Sequence, residues 1–328
     1  MSEMKCWPGP CMIRRAALLT ENAGLVDWSS PRGGGSVGSR LGDSRVVVVM
    51  ITYNRVDDVL KSLGELNRLP ERPRIVVVDN GSDDDVAAAI SSRFPEVEVI
   101  ELGENLGGAA RTIGVQRVDA PYVAFCDDDG WWDPGCLSAA ADLFDASPKL
   151  AVVTAKVLVG PENRLDPTCD VLARSPLPRE EGMPGPSLLG FLAGASIVRR
   201  SAFLEAGGFH ARFFVGGEEE LLAVDLAARG HWLCYVPALT FHHHPSLSRD
   251  ANRRQSVMAR NAIWFAWLRR PLPIALRRTL GSAPRRPWDW GAWLSLIEAL
   301  RGLPWVIKER RLPPPEVERG LRLLEGGA

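Results

Sequence analysis

The sequence predicts an α/β fold in which a mostly parallel β-sheet is flanked by helices. Three observations support this prediction. Between residues 45 and 126, short β-branched runs alternate with segments whose apolar residues recur at helical spacing. The first of these runs, RVVVVMI (45–51), is β-branched and apolar after Arg45, as expected of a strand that is buried on both faces. Polar or glycine-rich segments follow each run, which is typical of the loops at the carboxyl ends of parallel strands.

The first half of the sheet is predicted from four apolar runs. These runs are RVVVVMI (45–51), RIVVVD (74–79), VEVIEL (97–102) and PYVAFC (121–126). Helices are expected between them, over VDDVLKSLGELNRL (56–69), DDVAAAISSRF (84–94) and LGGAARTIGVQRV (106–118). Each strand would then join the next through a right-handed βαβ crossover.

The second half is less regular. Proline and glycine crowd residues 160–190, which predicts a long loop. A strand is expected over GFLAGASIVRR (190–200), and a helix over EEELLAVDLAARG (218–230), with Gly230 as its C-cap. Two short strands, HWLCYVP (231–237) and LTFHHH (239–244), complete the predicted sheet.

Composition and charge divide the chain of 328 residues into three parts. Residues 1–44 end in a Gly/Ser-rich stretch and are expected to form a flexible extension. Residues 45–248 hold the α/β pattern. Residues 249–328 contain 16 Lys and Arg against 7 Asp and Glu, a net charge of +9, and six of the 11 Trp. Since the whole chain carries −1, the preceding part carries −10. The last part is expected to be a helical extension.

Several classes of protein are disfavoured. The six cysteines are scattered without metal-site spacing, which favours a reduced, cytoplasmic chain. We expect no membrane-spanning helix, since no stretch reaches ~18 apolar residues. No G-x-G-x-x-G or P-loop motif is found, which argues against a dinucleotide fold and a P-loop enzyme. Nucleic-acid binding is not expected, because no recognition motif accompanies the basic charge.

Three adjacent carboxylates, Asp127, Asp128 and Asp129, follow the fourth predicted strand. In an extended backbone Asp127 and Asp129 share one face, and Asp128 points away. Burying such charges is costly unless a counter-charge is present, and paired carboxylates suit Mg²⁺ or Mn²⁺. The alternative is a solvated turn whose Asp residues cap a helix.

These segments together resemble the family-2 glycosyltransferases with a GT-A, Rossmann-like fold. The resemblance covers roughly residues 45–245. It is carried by VVVVMITYNR, IVVVDNGSDD, NLGGAARTIG, YVAFCDDDG and GFLAGASIVRRSAFLEAGGFHARFFVGGEEELL, in that order. The resemblance implies a metal-dependent transfer of a hexose or deoxyhexose from a nucleoside-diphosphate sugar, with inversion.

The resemblance also implies roles for residues at the strand ends. Thr52, Asn54 and Asp79 would line the nucleoside pocket, and Asn80 is included among the donor-binding candidates. Arg111 would lie near the donor phosphate or sugar. Asp127 would contact the donor, and Asp127 and Asp129 would hold the cation against the diphosphate.

The general base is expected in the segment FFVGGEEELL. Many relatives have Gly-Gly-Glu-Asp here, and this chain has Glu219 in place of the Asp, beside Glu218. A carboxylate can deprotonate an acceptor hydroxyl within hydrogen-bonding reach. Which of the two glutamates is the base stays open, and the alternative is that both merely favour a helix N-terminus. Asp133 and Asp225 are the reserve candidates.

The segment FHHHPS places three histidines after the last predicted strand. Alternation puts His242 and His244 on one face and His243 on the other. His244, nearest the loop, is the expected third metal ligand. Trp131 and Trp132 are expected either to stack on an acceptor sugar or to pack in the core.

The basic C-terminal region has two interpretations. WDWGAWLSLIEALRGLPWVIKERR (288–311) is amphipathic and rich in Trp, which suits a membrane interface. It can equally be a helix that packs on the catalytic domain. The expected acceptor is a glycan or a lipid-linked sugar of a cell-envelope polysaccharide, and the expected donor a UDP- or dTDP-sugar. The expected location is cytoplasmic, with peripheral contact to the inner face of the membrane considered. The alternative activity is nucleotidyl transfer to a sugar phosphate.

Overall fold

A computed structural model of the chain describes residues 43–245, 251–283 and 288–326. The predicted N-terminal extension lies outside these ranges except for its last two residues. Cys6, Cys11 and the predicted boundary at residues 248–249 lie outside them as well.

The strands of the described ranges form one sheet. They are β1 (Val46–Thr52), β2 (Arg74–Asp79), β3 (Glu98–Glu101), β4 (Tyr122–Asp127), β5 (Gly130–Trp132), β6 (Leu150–Val159), β7 (Arg164–Leu165), β8 (Ser196–Arg199) and β9 (Trp232–His243). Their order in the sheet is β3-β2-β1-β4-β8-β6-β9-β5, with β7 paired to β6.

Helices cover both faces of the sheet and form the C-terminal region. They are α1 (Val56–Leu66), α2 (Val86–Arg93), α3 (Ala110–Arg117), α4 (Cys136–Ala146), α5 (Pro167–Ala173), α6 (Arg200–Glu205), α7 (Glu218–Ala227), α8 (Ala251–Arg269), α9 (Leu272–Gly281), α10 (Trp290–Lys308) and α11 (Pro315–Gly326).

The two halves of the sheet differ in strand direction. β3, β2, β1 and β4 run parallel to one another, as predicted. β8 then runs antiparallel to both β4 and β6, and β5 runs antiparallel to β9, while β6 and β9 are parallel. The sheet is therefore mixed, and the parallel arrangement holds for the half predicted from βαβ alternation.

Several elements of the second half differ from the sequence prediction. β6 and α4 were not predicted, and the expected loop over residues 160–190 contains β7 and α5. Asp166 begins α5 by accepting a hydrogen bond from the Thr168 N–H at 2.8 Å. The two short strands expected after residue 230 are one strand, β9, whose register against β6 shifts near Pro237. Proline cannot donate to the ladder, so the interruption is a bulge rather than a strand end.

The apolar core has two parts. The larger part lies around the sheet and includes the fully buried runs of β1, β2 and β4. The smaller part joins α8, α10 and α11 to α7. Phe213, Leu221 and Val224, from α7 and the segment before it, lie in one cluster with Trp264 of α8 and Ala299 of α10. The C-terminal helices thus share a core with α7, as expected of helices that pack on the rest of the protein. One face of α10 remains exposed, so the same structure also leaves a surface for the membrane interpretation.

Candidate active site

A cavity of about 570 Å³ lies where β1 and β4 end. Its lining comes from four places in the chain: the ends of these strands, the turn that leads into α3, the segment Leu192–Ala195, and the start of α7. His243, at the end of β9, and Arg254 and Val257, from α8, close the remaining side. Segments far apart in sequence therefore meet at one edge of the sheet, as the strand-end argument predicts.

The acidic triplet divides between two arginines. Asp127, the last residue of β4, pairs with Arg111, which is 6% exposed. Asp128 Oδ1 and Asp129 Oδ2 lie 3.1 and 3.2 Å from Nη1 of Arg55. The expected alternation of side chains does not extend past Asp127, because the strand ends there and the next two residues form a turn. All three carboxylates line the cavity.

Asp128 is buried at the cavity wall. Burial raises the pKa of Asp128 to about 7, which Arg55 opposes and the neighbouring aspartates support. Its Oδ2 also accepts a hydrogen bond from Thr52 Oγ1 at 3.1 Å. Arg55, the hydroxyl of Thr52 and the raised pKa of Asp128 therefore offset the repulsion between the adjacent carboxylates. The carboxylates still concentrate negative charge at the cavity wall.

The predicted donor-binding residues fall into two groups. Thr52, Asn80, Arg111 and Asp127 line the cavity. Asp79 instead accepts hydrogen bonds from the N–H and hydroxyl of Ser82, at 3.0 and 2.5 Å. Asn54 accepts from the Asp83 N–H at 2.7 Å. Neither of the latter two is part of the lining, so in this structure both shape the loop behind it.

The histidines alternate as expected, but His243 rather than His244 faces the cavity. His243 Nε2 lies 3.4 Å from Oδ1 of Asp129. The His244 ring packs against Trp131, and its Nδ1 lies 3.2 Å from Nζ of Lys61. His244 is therefore not part of the cavity lining, where the acidic triplet lies. Burial and Lys61 also lower the pKa of His244.

The remaining candidates pack or pair outside the cavity. Trp131 stacks with His242, and Trp132 is fully buried, so core packing is the interpretation that fits both. Asp133 lies 2.9 Å from Nε2 of His242. Asp225 forms a two-pronged pair with Arg269 at 2.6 and 2.8 Å, and neither reserve candidate for the base lines the cavity.

The two glutamates at the start of α7 both reach the cavity. Glu218 is 4% exposed, and its Oε2 has no hydrogen-bond partner among the described residues. Burial raises the pKa of both carboxyls, that of Glu218 to about 8, with the charge of Glu219 adding to the effect on Glu218.

The two glutamates affect each other's protonation. Burial raises the pKa of both carboxyls, and the charge of Glu219 adds to the effect on Glu218. Two neighbouring carboxyls with raised pKa values titrate as a pair, which can hold one proton and one negative charge. The ionised member of such a pair is suited to accept a proton from an acceptor hydroxyl.

Glycines bring this acidic start of α7 against the turn before α3. A Cβ on Gly108 would lie 2.7 Å from Oε1 of Glu218. Gly107 has φ +60°, and a Cβ there would overlap the carbonyl of Phe214, which accepts the Gly108 N–H at 2.6 Å. The glycines that weaken the predicted helix over 106–118 thus permit close contact between the two walls.

Sequence reasoning did not single out three of the lining groups. Arg55 directly follows the first strand-end segment, so its position was visible although no role was assigned to it. Gly194 lies close to Asp127, since a Cβ there would be 2.5 Å from Oδ2. Arg254 arrives from α8, and nothing local in the sequence indicates that this helix returns to the cavity.

The sequence matches known glycosyltransferases. Residues 47–207 match the model of the family described as glycosyl transferase family 2. A protein of Mycobacterium tuberculosis (strain H37Rv), N-acetylglucosaminyl-diphospho-decaprenol L-rhamnosyltransferase, is 29% identical over 275 residues, which cover 71% of this chain and 89% of that protein. The uncharacterized glycosyltransferase YwdF of Bacillus subtilis (strain 168) is 29% identical over 100 residues, covering 30% of this chain and 37% of YwdF.

The fold also has solved relatives. The crystal structure of GalNAc-T7 with UDP, GalNAc and Mn²⁺ is similar with a TM-score of 0.57 and 14% identity. The match covers 81% of this chain and 56% of that one, so this chain spans just over half the length of that structure. At this identity the similarity bears on the fold alone, and it confirms the predicted GT-A architecture.

Proposed function

We propose that the enzyme moves a deoxyhexose such as L-rhamnose from a nucleoside diphosphate to a lipid-linked acceptor, on the basis that residues 47–207 match the model of glycosyl transferase family 2. The sugar and the acceptor class are suggested by the rhamnosyltransferase that is 29% identical to this chain. Sugar transfer itself follows from the family. The observation that carries the proposal is that Glu219 faces the same cavity as Arg111 and the acidic triplet.

The cavity suggests a division of labour. Arg111, buried and aimed into the cavity, is placed to hold a phosphate or hydroxyl group of the donor. Glu219 accepts the proton of the acceptor hydroxyl while that oxygen bonds to the anomeric carbon. The bond from that carbon to the diphosphate breaks on the opposite face, and its electron pair leaves with the diphosphate. A single displacement of this kind inverts the anomeric centre.

The residues fit a divalent cation in chemical type. Carboxylates of Asp127 and Asp129 line the same cavity as the imidazole of His243, and these donors suit Mn²⁺ or Mg²⁺. In the described ranges no three such groups are gathered closely enough to hold an ion, since arginines pair with the carboxylates. We assign Asp129, Asp127 and His243, in place of His244, as the residues that would hold the cation. When bound, it would neutralise charge on the departing diphosphate.

A membrane-facing surface would accommodate a lipid-linked acceptor. One face of α10 packs into the smaller core through Ser295, Ala299 and Val306. The opposite face exposes an apolar stripe at helical spacing that runs the length of the helix. This α10 stripe consists of Trp290, Trp293, Leu294, Ile297, Leu300 and Ile307.

The charge around the stripe favours an anionic bilayer. Arg301 and Lys308 lie on α10 itself, and both are exposed. Aromatic and aliphatic side chains bordered by Lys and Arg are typical of helices that lie in a membrane interface. No helix of the described ranges is long and apolar enough to span a bilayer. Peripheral contact through the α10 stripe is therefore the mode of association we propose.

The activity is tested with a panel of UDP- and dTDP-linked hexoses and deoxyhexoses, first by thermal shift with and without Mn²⁺. Saturating donor at ~100 times its Kd adds ~2.7 kcal/mol to the free energy of unfolding. Donors that bind are then assayed with a synthetic polyprenyl-diphosphate-linked N-acetylglucosamine, and the anomeric configuration of the product is read by NMR. Formation of a nucleotide sugar from a sugar phosphate and a nucleoside triphosphate, without sugar transfer, would overturn the proposal.

A further inference from the structure

The segment that precedes the proposed base has an unusual backbone. We name residues Phe213–Gly217 the base loop, because α7 begins at the next residue. Phe214 has φ +64°, and Gly216 and Gly217 have φ +80° and +92°. A positive φ in an aromatic residue is strained and persists only where surrounding contacts fix it. The base loop therefore needs an external support.

Asn261 of α8 supplies that support. It is fully buried, and its Nδ2 lies within hydrogen-bonding distance of three base-loop carbonyls: Phe213 at 2.7 Å, Val215 at 3.2 Å and Gly216 at 2.6 Å. An amide nitrogen has two hydrogens, so these three acceptors share two donors. One side chain thereby holds nearly every peptide of the loop.

Arg260 fixes the amide orientation of Asn261. Its Nε and Nη2 donate to Asn261 Oδ1 at 3.1 and 2.9 Å, so the nitrogen of Asn261 must face the loop. The same Nη2 lies 3.3 Å from the carbonyl of Phe213. On its other side Arg260 lies 3.4 Å from Glu298 of α10 and stacks over Trp264.

On this geometry we propose that Asn261, held by Arg260, is a positioning residue that fixes the base loop and so places Glu219 for proton transfer. The C-terminal helices are then part of the catalytic unit. The inference rests on the proposed role of Glu219. A displacement of ~1 Å at a reacting group can cost about 100-fold in rate. Loss of three hydrogen bonds to a strained loop is sufficient to permit such a shift.

The test is steady-state sugar transfer by the full-length Asn261→Ala variant. We expect kcat to fall about 100-fold, while the KM for the nucleotide sugar stays within about threefold, because the donor-side residues are not contacted by Asn261. Ser295→Ala is the matched control. Ser295 Oγ donates to the Ser256 carbonyl at 3.0 Å, so this variant also loses a buried contact between α10 and α8, away from the base loop. Its kcat should stay within about twofold of the parent value.

A second variant changes the base loop itself and leaves α8 unaltered. At Gly216→Ala, a Cβ would meet Met258 Cγ at 2.5 Å in a backbone with φ +80°, so the loop must change while Asn261 is intact. We expect a similar loss of kcat. This variant decides the question if Asn261→Ala does not fold: unchanged kcat in Gly216→Ala would overturn the inference.

Two outcomes separate this inference from the function on which it rests. If Glu219→Gln is inactive and folded Asn261→Ala keeps kcat within about threefold, only the positioning role is wrong. If Glu219→Gln itself transfers sugar at the parent rate, the assigned base is wrong and the positioning role falls with it. Equal losses of kcat in Asn261→Ala and Ser295→Ala would also overturn the positioning role of Asn261, since equal losses would reflect a general loosening of the helix packing.

Discussion

The two walls of the cavity are built in different ways. The donor wall, formed by Thr52, Asn80, Arg111 and the acidic triplet, comes from residues that follow strands or begin the next helix. The base wall, formed by the base loop and the start of α7, is held from a helix that follows it by more than 30 residues in sequence. One wall is a consequence of parallel β topology, and the other depends on a specific long-range hydrogen-bond network.

This difference explains why the walls should respond differently to substitution. On the donor wall, charge is balanced locally, as in the pairs of Arg111 with Asp127 and Arg55 with Asp129. On the base wall, Glu218 is buried and Glu219 is partly buried, neither has an arginine in hydrogen-bond contact among the described residues, and the pKa values of both are raised. Donor-wall variants should therefore affect donor binding, and base-wall variants should affect the rate of transfer.

The largest expected effect is on the base wall. Glu219→Gln keeps the size of the side chain and removes its ability to accept a proton. We expect kcat to fall ~10²–10⁴-fold, with donor affinity nearly unchanged. Single-turnover transfer and donor titration measure the two quantities separately.

Glu218→Gln is the control for that prediction. Glutamine is neutral, like a protonated Glu218, and leaves the proposed base Glu219 in place, so the loss of kcat should be smaller. A larger loss at Glu218 than at Glu219 would move the base by one residue. Normal transfer by both variants would remove the base from this wall, and the comparison between the walls would fail.

The next effect is on the donor wall. Asp129→Asn removes a charge that lies beside Arg55 and His243, and we expect donor affinity in the presence of Mn²⁺ to fall ~10–100-fold, because hard divalent cations prefer carboxylate ligands. Asp127→Asn should act similarly. Asp133→Asn, which changes a carboxylate paired with His242 outside the cavity, should leave donor affinity unchanged. Isothermal titration with and without Mn²⁺ tests all three, and undiminished metal-dependent binding by Asp129→Asn would contradict the assignment.

The same contrast shows which parts of the molecule are predictable from sequence. β1 to β4 have strong β-branched runs separated by helical patterns, and their ends therefore predicted the donor wall. β6 was missed, although LAVVTAKVLV has the composition of a buried strand. Sequence alternation alone did not show that His243, rather than His244, lines the cavity, because the direction of the alternating side chains depends on the pairing of β9 with β5 and β6. Asn261 carries no local signal, because its partners lie 45–48 residues away.

A third prediction concerns pH and again involves the base wall. Glu218 has an ordinary pKa of 4.5 and a pKa of about 8 in the fold. Between these values the folded protein holds a proton that the unfolded chain has released, so the free energy of unfolding should fall as pH rises, by at most ~1.4 kcal/mol per pH unit. The contribution is fully present below pH 4.5 and is lost as pH rises through about 8.

Urea unfolding at intervals across this range measures the slope. Glu218→Gln should flatten it. Burial raises the pKa values of Asp128, Glu219 and Glu220 as well, so these carboxyls should leave a residual slope of the same sign. Asp133→Asn, which changes a carboxylate outside the cavity, should leave the slope unchanged. An identical slope in Glu218→Gln and the parent would show that this carboxyl is not protonated in the folded protein.

The smallest expected effect lies outside both walls, on the α10 stripe. Trp290 is 78% exposed, and Ile297 lies two turns further along the same face. Burial of apolar surface is worth ~25 cal/mol per Å², so Trp290→Gln and Ile297→Gln should each weaken binding to anionic phosphatidylglycerol vesicles about five- to tenfold. Val171→Gln on α5, also an exposed apolar position at 70%, is the matched control and should bind as the parent does.

Flotation at low and high salt separates the apolar and ionic contributions. Salt should weaken binding of the parent protein, because exposed arginines are screened beyond ~8–10 Å at physiological ionic strength. Donor affinity of the stripe variants should equal that of the parent, since no stripe residue lines the cavity. If transfer to a lipid acceptor embedded in vesicles falls with vesicle binding, while transfer to a short-chain acceptor does not, the stripe brings the base wall to the membrane. If the parent protein does not float with anionic vesicles at low salt, the α10 stripe does not bind membranes and the proposal of peripheral contact is wrong.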